Sequence, residues 1–181
     1  MASTMLMASI PIAIIVSILI KIFDKGPIIY KQIRIGLNGQ NFKIYKFRSM
    51  QINSENDGAK WTSINDNRIT KIGKFLRLTR IDELPQLINV IRGDMSFIGP
   101  RPERPEFNEM LEQEIPYYQL RHLVRPGITG WAQVLYPYGA SVDDAREKLK
   151  YDLYYIKNYS VLLDFSIILK TVRIVLFGRG R

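Results

Sequence analysis

The chain of 181 residues lacks cysteine altogether and has a single histidine, His122. The lack of cysteine excludes disulfides, thiol nucleophiles and cysteine-based zinc sites, and one histidine cannot build a histidine-rich metal centre. We expect His122 to be a surface or capping residue rather than a catalyst. The sequence also shows no internal repeat and no tandem-glycine turn of the dinucleotide-binding type. Thiolate catalysis and metal centres built on cysteine or on several histidines are therefore excluded.

Charged side chains are absent from the first 20 residues. An apolar helix of about 20 residues just crosses the hydrocarbon core of a bilayer. Pro11 divides this segment, and an arm of about ten residues is only about 15 Å long, so a helix broken at Pro11 would enter one leaflet and return. Ser9 is placed to donate a hydrogen bond to a carbonyl freed near such a bend. A straight span is the alternative, whereas a cleaved signal peptide would need a basic start, which this segment lacks.

Positive charge is in excess over the whole chain, with 26 lysines and arginines against 17 aspartates and glutamates and a formal net charge of +9. This charge suits nucleic acid, an anionic membrane surface or phosphorylated small molecules. A nucleic-acid binder concentrates its cations on one face or in one arm. Here the cations are spread along the chain and flank the apolar segments at both ends. We therefore expect phosphorylated and membrane partners, and no nucleic acid.

The segment Arg80–Gln86 contains two adjacent carboxylates, Asp82 and Glu83, before an apolar helical pattern. A helix is predicted by the spacing of Leu84, Leu87, Ile88 and Ile91. Proline is tolerated only in the first turn of a helix, so Pro85 places Asp82 at or next to the helix N-terminus. The helix dipole and the free N–H groups favour a negative charge there. Taken alone, Asp82 is either a helix cap or a poised nucleophile.

Two later runs, Gly93–Pro105 and Arg125–Val134, are rich in proline and glycine. They are too stiff and too often interrupted for an ordinary helix or strand. Each presents an arginine beside a proline, Arg101 in the first run and Arg125 in the second. An arginine on such a restricted backbone is well suited to a two-pronged contact with phosphate oxygens. The two runs therefore predict phosphate-binding positions.

These segments, together with Lys43–Met50 and Tyr151–Asn158, resemble the bacterial sugar transferase family, the monotopic phosphoglycosyl transferases, and especially its exopolysaccharide branch. The resemblance extends from about Pro11 to Arg181, and several long motifs in one order are far more specific than any short pattern. It implies transfer of a sugar 1-phosphate from a UDP-sugar to a polyprenol phosphate such as undecaprenyl phosphate. The implied products are a polyprenyl-diphosphate sugar and UMP, in the first step of exopolysaccharide or glycoconjugate assembly.

The resemblance also assigns roles to individual residues. It implies that Asp82 is the nucleophile that forms an acyl phosphate, and that Glu83 helps by orienting Mg²⁺ or handling a proton. Both carboxylates are candidate ligands for Mg²⁺, with Mn²⁺ as a substitute. The implied substrate-binding residues are Arg77, Arg101, Arg125, Lys46 and Asp152. A re-entrant helix hinged at Ser9 and Pro11, a place on the cytoplasmic face of the bacterial inner membrane, and a hexose such as glucose or galactose are implied as well.

The predicted fold is α/β and mainly helical, with a re-entrant membrane helix over residues 1–22 and a single catalytic domain over residues 23–181. The expected elements are a β-hairpin of Pro27–Arg34 and Phe42–Phe47 turning at Asn38-Gly39, a loop over Asn53–Asn67, and helices over Ile69–Leu78, Asn108–Leu120 interrupted near Pro116, and Val142–Tyr155. The apolar segment Val161–Phe177 is predicted to be an amphipathic interfacial helix on the membrane. A buried core helix is the alternative for this last segment.

Three other functions stay open from the sequence: a non-catalytic, membrane-associated basic module, a nucleic-acid-binding protein, and a glycosyltransferase that moves a sugar without its phosphate. The first would need neither adjacent carboxylates nor arginines held by prolines, and the second would lose its ligand steeply with salt. Members of the family usually carry a basic lead-in before the first helix. This chain begins without one, so we expect either a natural short form or a fragment. The sequence is also compatible with a homo-oligomer.

Overall fold

The computed structural model describes residues 2–55, 58–63, 66–137 and 139–177. Helices dominate these ranges, and the predicted mainly helical α/β class is confirmed. The strands are β1 (Ile29–Ile35), β2 (Asn41–Phe47), β3 (Ser96–Ile98) and β4 (Gly127–Thr129). The α-helices are α1 (Ala2–Asp24), α2 (Lys71–Leu78), α3 (Leu87–Arg92), α4 (Pro105–Glu114), α5 (Trp131–Leu135), α6 (Val142–Asn158) and α7 (Val161–Leu176). Short 3-10 helices cover Leu37–Gly39, Ile81–Gln86 and Tyr118–Leu123.

Helix α1 contains Pro11 in its interior and does not end there. Among the described residues it is the one helix that is long and apolar enough, judged by length and composition, to cross a membrane. Proline removes one backbone hydrogen bond and bends many helices without ending them. The Ser9 hydroxyl donates to the Leu6 carbonyl at 2.8 Å. The predicted break at Pro11 is therefore not confirmed, and the re-entrant course stays a prediction.

One stripe of α1 packs against the rest of the molecule. Ser9, Val16 and Ile20 are its buried residues, and the last two share a core cluster with Phe47 of β2 and Leu76 of α2. Burying a large apolar side chain contributes roughly 1.5–3 kcal/mol to stability. The C-terminal half of α1 is thus packed into the domain that was predicted to follow it.

The hairpin agrees with its prediction, since β1 and β2 pair antiparallel over their full length. Asn38 and Gly39 have positive φ values of 53° and 73°. A two-residue type I′ turn requires positive φ at both central positions, and these two residue types tolerate it best. Gln40 closes the turn by donating its N–H to the Leu37 carbonyl at 3.1 Å.

The segment around the two carboxylates differs from the prediction in helix type. After α2 the chain turns at Arg80, whose φ of 58° is left-handed, and continues as a 3-10 helix through Pro85 into α3. Proline fits a first turn because its missing N–H has no backbone partner to lose there. Asp82 and Glu83 therefore lie in the first turn as predicted, but in a 3-10 helix rather than an α-helix.

The prediction that the two runs rich in proline and glycine form neither strand nor helix is wrong. Each contributes one short strand, β3 and β4, and the second run continues into α5. The two strands pair in parallel, and a Cβ on Gly127 would collide with the backbone at Gly99. Strands of three residues show no alternating pattern, so the sequence gives no signal for them.

The helices in the second half of the chain follow their predictions with shifted ends. α4 begins at Pro105 instead of Asn108, ends before Pro116 as expected, and is followed by the 3-10 helix Tyr118–Leu123. α6 begins where predicted and continues to Asn158. The described part of the predicted loop Asn53–Asn67 contains no helix or strand. Residues 56, 57, 64 and 65 of that loop, and residues 1 and 178–181 of the predicted domains, lie outside the described residues.

Helix α7 is not a buried core helix. It buries Ile167, but Val161, Leu162 and Phe165 are each more than half exposed. Exposed apolar side chains along one helix are typical of a surface that meets a membrane or another protein. The interfacial position of α7 remains a prediction that this exposure favours.

Candidate active site

Asp82 and Glu83, referred to below as the carboxylate pair, are buried in the 3-10 helix that follows α2. The exposed fractions of Asp82 and Glu83 are only 6% and 5%. Burying a carboxylate costs several kcal/mol of desolvation unless opposite charges and hydrogen bonds offset this cost. The two residues differ in how far their surroundings offset this desolvation cost.

Three cations surround the carboxylate of Glu83. Its Oε1 accepts from Arg101 Nη2 at 2.6 Å and from Lys46 Nζ at 3.2 Å, and Arg80 Nη1 lies 3.7 Å away. Burial alone would raise the pKa of Glu83, but the charges of Arg101, Lys46 and Arg80 outweigh burial and hold this pKa well below its usual range. Glu83 is therefore a permanent anion that holds Arg101 and Lys46 in place.

The carboxylate of Asp82 has a different environment from that of Glu83. Its Oδ1 is buried without a hydrogen-bond partner among the described residues. Burial, followed by the negative charge of Glu83, raises the pKa of Asp82 from 3.8 to about 6, although Lys46, Arg77 and Arg101 act in the opposite direction. Asp82 is thus mostly ionised at neutral pH, and its Oδ1 accepts no hydrogen bond from the described residues. Both properties suit a nucleophile or a metal ligand.

Lys46 links the hairpin to the carboxylate pair. It lies on β2, and burial lowers the pKa of its ammonium to about 8, with the charge of Glu83 opposing this effect. The group is therefore mostly protonated at neutral pH. Lys46 supplies a positive charge beside both carboxylates from a rigid strand.

The carboxylate pair lines a cavity of about 1050 Å³, a volume near the upper end of small-molecule sites. Lysine and arginine side chains outnumber carboxylates in its wall. The cations are Lys31, Arg34, Lys46, Arg48, Lys60, Arg68, Arg77, Arg80, Arg101, Arg104, Arg121 and Lys148, and the carboxylates are Glu55, Asp82, Glu83, Glu103 and Asp152. A concave surface with this excess of positive charge favours an anionic ligand such as a diphosphate.

The structure brings four of the five predicted substrate-binding residues to this cavity: Arg77, Arg101, Lys46 and Asp152. Arg125 is the exception, because it is exposed and its Nε donates to the Gly93 carbonyl at 3.0 Å, at the C-terminal end of α3. A proline neighbour restricts the backbone of an arginine but does not set the direction of its side chain. The expectation that Arg125 clamps phosphate in this cavity is therefore not supported.

Asp152 lies in the cavity wall as part of a buried ion pair. Arg121 Nη2 donates to Asp152 Oδ2 at 2.9 Å and to the Arg101 carbonyl at 2.8 Å. Burial raises the pKa of Asp152 to about 6, and the charge of Arg121 opposes this shift. Asp152 is thus connected to the carboxylate pair indirectly, by hydrogen bonds through Arg121 and Arg101.

Six arginines of the cavity wall were not predicted from the sequence: Arg34, Arg48, Arg68, Arg80, Arg104 and Arg121. Arg80 pairs with Glu83 at i,i+3 spacing, a signal that the sequence does contain. Arg34 donates to the Pro102 carbonyl at 3.0 Å, and Arg104 pairs with Glu55 at 3.0 Å. These last contacts join distant parts of the chain, so no local pattern indicates them.

The prediction that His122 is a surface or capping residue is wrong. Its side chain is buried, and Nε2 lies 2.9 Å from Asn108 Oδ1. Burial, followed by the charge of Arg121, lowers the pKa of His122 to about 4, so the ring is neutral at neutral pH. It is not among the residues that line the cavity. His122 supports packing between α4 and the 3-10 helix that contains it.

A divalent cation at the carboxylate pair would depend on the substrate and water for most of its ligands. Among the described residues there is no group of three or more histidine, cysteine, aspartate or glutamate residues that could hold a metal. Mg²⁺ is commonly bound by one or two carboxylates together with substrate phosphates. The unpartnered Oδ1 of Asp82 fits this role. Glu83 fits less well, because its Oε1 already accepts from two cations.

Known proteins resemble this chain over nearly all of its length. The family profile described as bacterial sugar transferase matches residues 1–178. The UDP-N-acetylgalactosamine-undecaprenyl-phosphate N-acetylgalactosaminephosphotransferase of Aeromonas hydrophila is 51% identical over 170 residues, which cover 94% of this chain and 40% of that protein. The UDP-glucose:undecaprenyl-phosphate glucose-1-phosphate transferase of Klebsiella pneumoniae is 42% identical over 173 residues, which cover 94% and 37%.

A third relative matches over most of its own length. The exopolysaccharide production protein PSS of Rhizobium leguminosarum bv. phaseoli is 42% identical over 168 residues, which cover 90% of this chain and 84% of that protein. By contrast, the chain spans about two fifths of the length of the first two relatives. With a family profile matched from residue 1 to residue 178, the chain belongs to the bacterial sugar transferase family.

Proposed function

We propose that the protein is a phosphoglycosyl transferase that moves a sugar 1-phosphate from a UDP-sugar to a polyprenol phosphate such as undecaprenyl phosphate. One observation carries the proposal. Asp82 places a buried oxygen, which has no hydrogen-bond partner among the described residues, in a cavity whose cations outnumber its carboxylates. An anionic nucleophile in a positively charged site is suited to phosphoryl transfer. The names of the relatives from A. hydrophila and K. pneumoniae describe this type of reaction.

The reaction takes two displacement steps at one phosphorus atom. In the first, Asp82 attacks the phosphorus that bears the sugar, the P–O bond to the uridine-bearing phosphate breaks, and UMP leaves with the bonding electrons. An acyl phosphate then joins the sugar phosphate to Asp82. In the second, a phosphate oxygen of the lipid attacks the same phosphorus, the bond to Asp82 breaks, and the carboxylate is regenerated. The polyprenyl-diphosphate sugar is the product.

The cations of the site offset the charge of two anionic reactants. Glu83 holds Arg101 and Lys46 in place, and the positive charge of Arg77 acts on Asp82. Positive charge positioned in advance stabilises the transition state without reorganisation during the reaction. Mg²⁺ bound through Asp82 and the diphosphate would neutralise further negative charge. We expect excess chelator to abolish turnover and Mg²⁺ or Mn²⁺ to restore it.

We further propose that α1 enters only one leaflet, on the cytoplasmic face of the bacterial inner membrane. Protein atoms bury Ser9, Val16 and Ile20 along one side of α1, so this helix is attached to the domain that follows it. A full crossing would pull the packed part of α1, with Phe47 and Leu76, into the bilayer. A shallow position keeps the cavity near the lipid phosphate at the membrane surface.

The sugar is proposed from the relatives rather than from the cavity. The relative named for N-acetylgalactosamine is 51% identical, and the one named for glucose is 42% identical. We therefore propose UDP-N-acetylgalactosamine in preference to the plain hexose donor expected from the sequence motifs. A comparison of kcat/KM for UDP-N-acetylgalactosamine and UDP-glucose decides between them.

The released nucleotide distinguishes this reaction from that of a glycosyltransferase. Attack on the sugar-bearing phosphorus releases UMP, whereas attack on the anomeric carbon releases UDP. The protein is incubated with UDP-sugar and Mg²⁺, with and without polyprenol phosphate, and the nucleotides are separated by chromatography. We expect UMP to exceed one enzyme equivalent only when the lipid is present. UDP as the main product would contradict the proposal.

A further inference from the structure

Hydrogen bonds hold both the side chain and the backbone of Arg101. Its guanidinium donates to Glu83 Oε1 at 2.6 Å, and its backbone carbonyl accepts from Arg121 Nη2 at 2.8 Å. Pro100 and Pro102 flank it in the chain, and both restrict the backbone between them. The contact between Arg101 and Glu83 therefore depends on a backbone position that Arg121 holds.

Arg121 is in turn fixed by two buried partners. Its Nη2 donates to Asp152 Oδ2 at 2.9 Å, its Nη1 donates to the Tyr118 hydroxyl, and its guanidinium lies 4.9 Å from the centre of the Tyr118 ring. Because a guanidinium is planar and its donors have fixed directions, it can bridge a carboxylate and a carbonyl in one defined geometry. The chain of contacts runs from α6 through Arg121 to Arg101 and Glu83.

We propose that Arg121 and Asp152 are positioning residues, which fix the backbone of Arg101 and thereby hold its guanidinium against Glu83. The resemblance had implied that Asp152 binds substrate. The described contacts favour an indirect role, since the Asp152 carboxylate accepts from a guanidinium that also holds the Arg101 carbonyl. The kinetic consequences rest on the proposed function, whereas the geometric claim does not.

The double variant Arg121→Met/Asp152→Leu tests the proposal. Replacing a buried ion pair by apolar residues of similar size often preserves stability, whereas removing one partner alone does not. We expect kcat to fall by about tenfold or more because the reacting groups are misplaced, with KM for the UDP-sugar little changed. The matched control is Asn108→Leu/His122→Met, which removes the neighbouring buried pair. It should leave kcat and KM unchanged.

A second variant decides the question if the double variant does not fold. Asp152→Asn keeps an oxygen acceptor for Arg121, so we expect a lower Tm but a kcat within about threefold of wild type, since Arg101 stays in place. A folded double variant with wild-type kcat would overturn the proposal. So would a large rise in KM for the UDP-sugar in Asp152→Asn without a change in Tm, because that result indicates direct contact with substrate.

Failure of the proposed function can be separated from failure of this inference. If wild-type protein releases no UMP, the proposed function fails, and the contact between Arg101 and Glu83 becomes the readout. A crystal structure of Arg121→Met/Asp152→Leu reports this contact without any turnover. An Arg101 guanidinium displaced from Glu83 would support the positioning role, and an unchanged contact would contradict it.

Discussion

At the scale of single residues, two neighbouring carboxyls have opposite electrostatic environments. Burial raises the pKa of Asp82 to about 6, whereas three cations hold the pKa of Glu83 below its usual range. The folded state therefore favours the neutral form of Asp82 and the anionic form of Glu83. Asp82 costs stability when it ionises, and Glu83 contributes stability by staying ionised.

Amide substitutions at these two positions should change Tm in opposite directions. Between pH 3.8 and about 6 the folded chain binds more protons at Asp82 than the unfolded chain, so stability falls as the pH rises through this window. Asp82→Asn removes that loss, about 1–3 kcal/mol, and is expected to raise Tm at neutral pH but not near pH 4. Glu83→Gln should lower Tm at neutral pH, because it removes the anion shared by Lys46 and Arg101. Thermal unfolding in detergent measures both, and shifts of the same sign would contradict this electrostatic account.

Two arginines that look alike in the sequence form a matched pair for mutation. Arg101 contacts Glu83 inside the cavity, and Arg125 is exposed and contacts the Gly93 carbonyl. Lysine cannot reproduce the planar fork of a guanidinium. We expect Arg101→Lys to lower kcat/KM by about tenfold or more, and Arg125→Lys to change it by less than about twofold. Steady-state kinetics with a UDP-sugar measure the difference, and the reverse order would show that the cavity has been assigned to the wrong arginine.

At the scale of elements, the hairpin and the first turn around Asp82 were predictable because local chemistry determines them. Asn38-Gly39 supplies the positive φ values of the turn, and Pro85 restricts where the helix can begin. Strands β3 and β4 were not predictable, since each has three residues and pairs with a distant segment. The apolar helix α1 lies between these cases. Its apolar length is evident, but the effect of Pro11 on its course depends on packing.

The course of α1 can be tested by labelling. The chain has no native cysteine, so single cysteines placed at Ala2 and Lys21 report on α1 alone. If α1 enters one leaflet and returns, an impermeant thiol reagent should label both positions from the same side of sealed vesicles. A reagent-accessible cysteine in the exposed segment after β2, such as Gln51→Cys, serves as the control for sidedness. Labelling of the two positions from opposite sides would establish a straight span.

At the scale of the whole molecule, much of the excess positive charge lies around one cavity, whose wall contains more lysines and arginines than carboxylates. Motifs in the sequence indicated the carboxylate pair, Lys46 and Arg101. They did not indicate that Arg121 bridges Asp152 and Arg101, or that Arg125 points elsewhere. Side-chain direction and contacts between distant segments depend on the complete fold, and no periodicity within a segment encodes them.

The central claim is that Asp82 becomes covalently bonded to the sugar phosphate. Intact-protein mass spectrometry after mixing with UDP-sugar and Mg²⁺, without lipid, tests it most directly. We expect wild-type protein to gain the mass of one sugar phosphate and to lose it when polyprenol phosphate is added. Asp82→Asn should gain nothing, while Glu83→Gln should still form a trace of adduct. A wild-type protein that gains no mass, or an Asp82→Asn variant that gains it equally, would contradict the account.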